Sequence, residues 1–282
     1  MKILIFGASG FLGTKLKKLF LEKGYEVLGI DLKGNPDVTL DATKFSLVLN
    51  ILKEQKPEIV IDTIGLTSSL ECERNPKRAR NLNYLTAKNI SDACKIVGSK
   101  MFFFSSSYVF NGKKGNYSEK DSPLPLGVYG KTKLLAERDL LKNKRNVIIR
   151  VDIMYGFNGD KEPNGIIQKI LDGGVIEIVN PQQKRRPLFI EDLLKIILIL
   201  WKKNMGGIFH VAGPDEISMG NFLKRMKKFS KKDSRIKKIN KIKAEKIPKN
   251  PTLDISKINS LGLKTTPLKN ALEIIKKQVI FE

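Results

Sequence analysis

Short apolar runs alternate with amphipathic stretches over the first 150 residues of the chain. Apolar runs of this length are typical of strands that are buried on both faces, and they predict strands at Lys2–Phe6, Tyr25–Ile30, Ile59–Ile61, Lys100–Phe104 and Val147–Val151. The stretches between them repeat apolar residues at helical spacing, which predicts helices at Phe11–Glu22, Phe45–Gln55, Pro76–Val97 and Val128–Leu141. Strands joined by helical crossovers form a parallel sheet, so the predicted fold class is α/β, a Rossmann-type doubly wound parallel sheet.

The alternation of strand and helix signals loosens after Arg150. Helices are predicted at Ile166–Leu171 and Ile190–Trp201, a strand is predicted at Gly207–Val211, and a lysine-rich stretch follows. We therefore expect residues 1–150 to form the Rossmann domain. Residues 151–282 are expected to form mainly a smaller C-terminal lobe, with some segments returning to the first domain.

A glycine-rich turn, Gly7-Ala8-Ser9-Gly10-Phe11-Leu12-Gly13, joins the first predicted strand to the first predicted helix. In a dinucleotide-binding turn, one glycine permits the tight bend, another lets the backbone approach a pyrophosphate, and a third allows close packing of helix on strand. The helix that follows presents its N–H groups and its positive dipole end to the phosphates. Because this turn also precedes an acidic strand end, it predicts a dinucleotide site formed by Gly7, Ser9, Gly10, Phe11, Leu12 and Gly13.

The acidic residue is Asp31, which ends the second predicted strand 18 residues after Gly13. A carboxylate at this position can accept hydrogen bonds from the adenosine ribose and repel a 2′-phosphate, which favours NAD(H). Lys33 stands two residues further on and could pair with a 2′-phosphate. NADP(H) therefore stays an alternative.

Tyr129 and Lys133 stand four residues apart, which places both side chains on one face of a helix. An ammonium beside a phenol favours the phenolate, so a tyrosine in this setting can exchange a proton with a carbonyl oxygen while hydride reaches the carbon. The apolar run that ends in Ser105-Ser106-Ser107 puts hydroxyls at the carboxyl edge of the sheet, where open α/β sheets bind ligands. A serine there could hydrogen-bond a substrate carbonyl.

The composition fits a cytoplasmic protein without metal chemistry. Two cysteines, Cys72 and Cys94, are too few for a disulfide framework and fit a reducing compartment. Gly7 comes too early for the apolar core of a signal peptide, and the run Ile196–Trp201 is too short to span a membrane. We expect the single histidine, His210, to be a buried structural residue, and one histidine leaves no multi-histidine metal site.

The formal net charge of +23 is concentrated between Asn221 and Asn250, where 13 Lys/Arg stand against two carboxylates. Such a block favours anionic partners through its summed field. It holds one aromatic residue, Phe229, whereas nucleic-acid platforms interleave aromatics for base stacking. We expect a lysine-rich solvated face, no specific nucleic-acid partner, and compatibility with an anionic nucleotide substrate.

Further motifs accompany the glycine turn and the Tyr-x-x-x-Lys pair. Ser105–Gly112 reads Ser-Ser-Ser-Tyr-Val-Phe-Asn-Gly, and Val128–Leu134 is followed by Glu137. Together these motifs resemble the dTDP-4-dehydrorhamnose reductase family of the extended short-chain dehydrogenase/reductase superfamily, whose members read Ser-Thr-Asp-Tyr-Val-Phe-Asp-Gly and Val-Tyr-Gly-x-x-Lys. The agreement is colinear over essentially the whole chain and includes Cys72-Glu73, Leu82-Asn83, Arg150, Tyr155-Gly156, Arg186-Pro187, Glu191-Asp192-Leu193 and Pro248 through Asp254.

The resemblance implies NAD(P)H-dependent reduction of a nucleotide-linked 4-keto sugar, and a homodimer is compatible with it. Ser106 takes the place of the family's catalytic Ser/Thr, Tyr129 is the general acid, and Lys133 binds the nicotinamide ribose and tunes Tyr129. Asn83 falls where the superfamily places a residue near the cofactor. Substrate contacts are implied for Ser106, Ser107, Tyr129 and Arg186, the last near the phosphates of the sugar nucleotide.

Three departures from the family pattern leave the sugar open. The chain has Asp62-Thr63-Ile64 where the family usually has Asn-Ala-Ala, Ser107 in place of an acidic residue, and Val151-Asp152 in place of Thr-Ser. Two alternatives to the reductase also stay open. One is a sugar-nucleotide epimerase or dehydratase, which returns the hydride to the sugar, and the other is a non-catalytic regulatory subunit that keeps the dinucleotide fold.

Overall fold

A computed structural model describes residues 1–156, 170, 173–228, 235–239 and 246–280, with side chains up to residue 278. The chain divides into two compact units. The first comprises Met1–Ser106, Val128–Arg150 and Leu193–Phe209. The second comprises Ser107–Gly127, Val151–Asp192 and His210–Glu282.

A seven-stranded sheet confirms the predicted doubly wound architecture. Its strands are β1 Lys2–Phe6, β2 Glu26–Asp31, β3 Val38–Thr39, β4 Ile59–Asp62, β5 Lys100–Ser106, β6 Val147–Val151 and β7 Gly207–Val211. In space they follow the order β3-β2-β1-β4-β5-β6-β7, and the described pairs β1–β2, β1–β4, β2–β3 and β4–β5 are parallel. The order reverses between β1 and β4, and ligands of open α/β sheets bind outside the carboxyl ends of the strands at such a point.

Helices cover the sheet where the apolar spacing predicts them. The described helices of the chain are α1 Phe11–Glu22, α2 Phe45–Gln55, α3 Ser69–Arg74, α4 Pro76–Arg80, α5 Thr86–Val97, α6 Val128–Leu140, α7 Asp192–Lys202, α8 Met219–Lys227, α9 Ser256–Ser260 and α10 Leu268–Ile280. The core of the first unit packs Leu4, Val60 and Phe103 of the strands against Leu52 of α2 and Ile90 of α5. All five side chains are fully buried.

The single long helix predicted at Pro76–Val97 is wrong in one respect. Between α4 and α5 the chain forms a turn of π-helix, Asn81–Leu85. A π-turn inserts one extra residue into the helical ladder, and such insertions are frequent at functional sites. Apolar periodicity does not reveal the insertion, because the residues on either side of it keep their helical spacing.

The second unit is built from short strand pairs and helices. Met154–Tyr155 pairs with Leu188–Phe189, Lys184–Arg185 with Ile217–Ser218, and Val175–Ile178 with Arg235–Lys238. Its core includes the ring of Tyr155, whose centroid lies 5.9 Å from that of Phe189 and 5.4 Å from that of Phe222. The helix predicted at Ile166–Leu171 lies, apart from Ile170, outside the described residues.

The helix predicted at Ile190–Trp201 begins two residues later, as α7. The reason is that the Ile190 N–H still donates to the carbonyl of Tyr155, and residues 190 and 191 form a turn before the helix begins. In the described part of the chain, no helix combines the length and the apolar character that crossing a membrane requires. Helix α8, in the lysine-rich stretch, buries Phe222 and Leu223 and exposes Lys224 and Arg225.

Candidate active site

The glycine turn has the backbone shape that close approach of a ligand requires. Gly7 has a φ of +80°, and a Cβ there would lie 2.7 Å from Oγ1 of Thr63. A Cβ on Gly13 would lie 2.2 Å from the carbonyl oxygen of Gly7, so only glycine lets α1 pack this closely on the turn. Helix α1 starts immediately after Gly10, which has no side chain to cap it, and its first turn holds no acidic residue. A phosphate is therefore met by backbone N–H groups and by the positive end of the helix dipole.

A cavity of about 630 Å³ opens at the point where the strand order reverses. It is lined by Gly7 and Gly10 of the turn, by Asp31–Lys33 after β2, by Thr63–Gly65 after β4, and by residues of α4 and of the π-turn. Its volume is in the range of small-molecule and cofactor sites. Gly7, Gly10 and Asp31 are thus brought together as predicted residues of one cavity. Leu12, which starts α1 with Phe11, is buried.

Asp31 is held in place by the glycine turn. Its Oδ2 accepts a hydrogen bond from the N–H of Ser9 at 3.0 Å, and its Oδ1 accepts one from the N–H of Leu32 at 2.7 Å. Lys33 lines the same cavity, together with Lys77 and Arg78, which the sequence did not suggest. Across the described residues, no ion pair engages these three cations. The cavity therefore offers both a ribose acceptor and cationic groups that a 2′-phosphate could use.

Lys133 is buried on α6, one turn after Tyr129. The helix begins at Val128, whose N–H donates to Oε1 of Glu73 at 2.7 Å. The Nζ of Lys133 donates to the carbonyl of Phe104 at 2.9 Å and lies 4.6 Å from the ring centroid of Phe103. Burial lowers the pKa of this ammonium to about 8.

Two hydroxyl-bearing residues lie close to this lysine in the fold. Ser106 ends β5, two residues beyond the carbonyl that Lys133 contacts, and is buried. Tyr129 is half-buried and packs against a small cluster that contains Leu66 and Cys72. Helix α6 and the carboxyl end of β5 therefore bring the three predicted catalytic residues into the same part of the first unit.

Asn83, which lies in the π-turn, joins the loop after β4 to α6. Its Oδ1 accepts from the N–H of Leu66 at 2.7 Å, while its Nδ2 donates to the carbonyl of Leu66 and to Oγ1 of Thr132. A Cβ on Gly65 would lie 3.1 Å from Oδ1 of Asn83 and 3.3 Å from Nζ of Lys133. Asn83 is fully buried and its amide is satisfied by the protein, so it shapes the wall of the site.

A buried ion pair that the sequence did not suggest lies one turn beyond Lys133. Glu137 binds Arg150 through two hydrogen bonds, from Nε to Oε1 at 2.9 Å and from Nη2 to Oε2 at 2.7 Å. Ser105 donates its hydroxyl to the same carboxylate. The pair therefore ties α6, the end of β5 and β6 together. The signal in the sequence was the i, i+4 spacing of Lys133 and Glu137, which continues the Tyr129–Lys133 face.

In the second unit, Asp152 joins the two residues predicted to contact substrate. Its Oδ1 accepts from the hydroxyl of Ser107 at 3.4 Å, and its Oδ2 accepts from the N–H of Arg186 at 2.6 Å. Arg185 forms a buried ion pair with the same carboxylate, and its guanidinium lies 5.2 Å from the ring centroid of Tyr108. Ser107 and Asp152 are both positions that depart from the family pattern, and here they contact each other.

His210 is fully buried in the second unit, with its Nδ1 at 2.9 Å from the carbonyl oxygen of Tyr117 and its ring edge-on to Phe110. Its backbone N–H donates to Oε1 of Glu119. These contacts are those of a packed structural residue.

The parallel sheet, the glycine turn and the Tyr129–Lys133 pair define a Rossmann-type protein of the extended short-chain dehydrogenase/reductase class. The model of one family, described as the RmlD substrate binding domain, matches residues 1–280. The chain belongs to this family, which confirms the resemblance drawn from the motifs.

Individual relatives differ in what their names describe. The chain is 28% identical to methionine adenosyltransferase 2 subunit beta of Xenopus tropicalis over 283 residues, which cover 95% of this chain and 85% of the relative. It is 29% identical to dTDP-4-dehydrorhamnose reductase of Aggregatibacter actinomycetemcomitans over 230 residues, 78% of this chain and 76% of the relative. Among solved structures it is similar to dTDP-4-dehydrorhamnose reductase of Bacillus anthracis in complex with NADP, with 25% identity, a TM-score of 0.85, and coverage of 98% of this chain and 99% of that chain.

Proposed function

We propose that the protein is an NAD(P)H-dependent reductase of a nucleotide-linked 4-keto sugar, with dTDP-4-dehydrorhamnose as the first candidate substrate. The observation that carries the proposal is the buried ammonium of Lys133. It lies one helical turn from Tyr129, beside the end of β5 and next to the loop that lines the glycine-turn cavity. The similarity to reductases of this family supports the same chemistry.

The first unit fits a nicotinamide dinucleotide on its own geometry. Gly7 and Gly13 leave a cradle that any Cβ would fill, α1 starts without a side-chain cap, and Asp31 is held ready to accept from a ribose. The solved relative from Bacillus anthracis holds NADP. A bound NADH or NADPH would supply the hydride for reduction of a carbonyl carbon.

The residues of the chain would supply the proton and hold the carbonyl oxygen. Tyr129 donates the proton to the oxygen, and the Lys133 ammonium favours the phenolate that this transfer leaves behind. Ser106, at the end of β5, hydrogen-bonds the same oxygen and polarises the carbonyl. By the family resemblance, Lys133 would additionally bind the ribose of the nicotinamide half.

Arg186 of the second unit would bind the diphosphate of the sugar nucleotide. Its backbone is fixed by Asp152, and its Nε has no hydrogen-bond partner within the described part of the chain. A guanidinium of this kind can bind phosphate in a bidentate manner. Ser107 would help to hold Asp152, and through it the backbone of Arg186, because its hydroxyl donates to the same carboxylate.

The test is the oxidation of NADH and of NADPH, followed by absorbance, against a panel of nucleotide-linked 4-keto sugars. The wild-type protein is expected to consume the cofactor stoichiometrically with at least one of them. Tyr129→Phe is expected to lower turnover by about 10² to 10⁴ with little change in cofactor affinity, because it removes the proton donor. Tyr25→Phe, whose ring packs on Phe20 at the far end of α1, is the matched control. A wild-type protein that reduces no member of the panel refutes the substrate class.

Two other functions give different results in this test. An epimerase or dehydratase would convert the sugar without net consumption of NADH. A regulatory subunit is the candidate that the similarity to methionine adenosyltransferase 2 subunit beta favours. Such a subunit would bind the dinucleotide and form a stable complex with a catalytic partner. The Tyr129→Phe variant would then change the activity of that partner as much as the wild type does.

A further inference from the structure

Asp62 is a buried carboxyl group that the proposed chemistry does not use. It ends β4 and is only 1% exposed. Its Oδ1 accepts from the N–H of Ile64 at 2.9 Å, but its Oδ2 has no hydrogen-bond partner among the described residues. A buried polar atom without a partner costs free energy, so this one calls for a reason.

The sheet register places Asp62 on the face that Lys133 covers. Asp62 pairs with Phe103 across β4 and β5, and side chains of paired residues in a sheet point to the same face. The Nζ of Lys133 lies 4.6 Å from the ring centroid of Phe103 and donates to the next carbonyl along the strand. A Cβ on Gly65, three residues after Asp62, would lie 3.3 Å from the same Nζ. The carboxyl group therefore lies on the sheet face that Lys133 covers, near enough for its charge to act on the ammonium.

Burial favours the neutral form of both Asp62 and Lys133, whereas the charge of each group favours the charged form of the other. Burial raises the pKa of Asp62 to about 7, although the Lys133 ammonium counteracts the rise. Burial likewise lowers the pKa of Lys133 to about 8, and the neighbouring Asp62, Glu137 and Cys72 counteract that fall.

The other groups that face Asp62 and Lys133 are accounted for. Glu137 is paired with Arg150. Burial raises the pKa of the Cys72 thiol to about 11, and it raises the pKa of the Cys94 thiol on α5 further still. Neither thiol therefore carries charge at neutral pH. Asp62 is the anion that can accompany the Lys133 ammonium there.

We propose that Asp62 is a positioning residue for Lys133. The carboxylate of Asp62 keeps the lysine a cation in the apolar part of the site where the lysine would meet the dinucleotide. This deepens the proposed function, since a charged Lys133 is what both the ribose contact and the proton transfer at Tyr129 need. It also gives a physical role to Asp62 at a position where the family usually has a neutral asparagine.

The pair makes a specific prediction for Asp62→Asn. Without the carboxylate the ammonium loses its anionic neighbour, so it gives up its proton at a lower pH. NADH affinity measured by fluorescence on the full-length protein is then expected to fall off at a pH about one unit lower than in the wild type. Asp92→Asn, an exposed carboxylate paired with Lys88 on α5, should leave the wild-type profile unchanged. An identical profile for Asp62→Asn and the wild type would overturn the proposal.

A second measurement covers the case in which Asp62→Asn does not fold. With carbon-13-labelled aspartate, one carboxyl resonance of the wild-type protein is expected to titrate near neutral pH. In Lys133→Met, that titration should move to higher pH, because the cation that stabilises the carboxylate is gone. If every aspartate of the folded wild-type protein titrates below about pH 5, the pair as described does not exist.

Neither readout needs a sugar substrate, so the two proposals fail separately. A protein that reduces no keto sugar, but whose NADH profile shifts in Asp62→Asn, refutes the reductase and retains the Asp62–Lys133 pair. An active reductase with an unshifted profile refutes the pair alone.

Discussion

Removing the charge of Glu137 tests whether the buried pair with Arg150 holds α6 against the sheet. Both side chains are at most 2% exposed, and two hydrogen bonds of 2.7 and 2.9 Å join them. Glu137→Gln leaves the Arg150 guanidinium buried without a counter-charge. Breaking one partner of a buried pair costs about 3–5 kcal/mol of unfolding free energy. At about 2–4 °C per kcal/mol, the melting temperature should fall by roughly 10 °C.

Thermal unfolding followed by circular dichroism measures this effect, with Asp92→Asn as the exposed control. The Lys88–Asp92 pair is an i, i+4 surface pair with both side chains over 40% exposed, so its loss should cost under about 1 kcal/mol. The double variant Glu137→Met/Arg150→Met should melt above Glu137→Gln, because it leaves no charge buried. A Glu137→Gln protein that melts within about 2 °C of the wild type would refute the reasoning.

Three further predictions concern the first unit. Gly13→Val should abolish NADH binding and lower the melting temperature, because its Cβ would sit 2.2 Å from the Gly7 carbonyl, and unchanged NADH fluorescence would contradict the packing. The double variant Lys77→Ala/Arg78→Ala should weaken NADPH binding about tenfold more than NADH binding in a fluorescence titration, because the two cations line the same cavity as Asp31. Equal losses for both cofactors would assign these side chains to another part of the dinucleotide. Because the pKa of Asp62 is raised in the folded state, its ionisation destabilises the fold as the pH rises from about 4 to 7. The melting temperature of Asp62→Asn minus that of the wild type should therefore be larger at pH 8 than at pH 4.5. An equal difference at both pH values would show that Asp62 does not titrate in this range.

Much of the fold follows from the sequence alone. The alternation of apolar runs and helical spacing predicts β1, β4 and β6 and helices α1 and α2 within a residue or two, because burial on both faces or on one stripe leaves a local signature. The glycine turn and Asp31 were also predictable, since backbone geometry restricts which residues can stand there. The family itself was visible in motifs that are local in the chain.

What the sequence could not provide are the partners of buried charged groups. Asp62 and Lys133 lie on different elements of the chain, as do Glu137 and Arg150. Only the sheet register and the packing of α6 bring the members of each set close together. The π-turn that carries Asn83 is another such case, because the apolar residues before and after it each keep helical spacing and read as one helix.

The sequence by itself determined the dinucleotide fold, because glycine geometry and hydrophobic periodicity act over a few neighbouring residues. The tertiary structure decided which carboxylate lies beside which cation, because the energy of a buried charge depends on distance and solvent exclusion, which no local pattern encodes. Asp62 shows the difference most directly. In the sequence it is the polar end of an apolar strand, and in the folded protein it is a buried carboxyl group whose pKa the Lys133 ammonium affects.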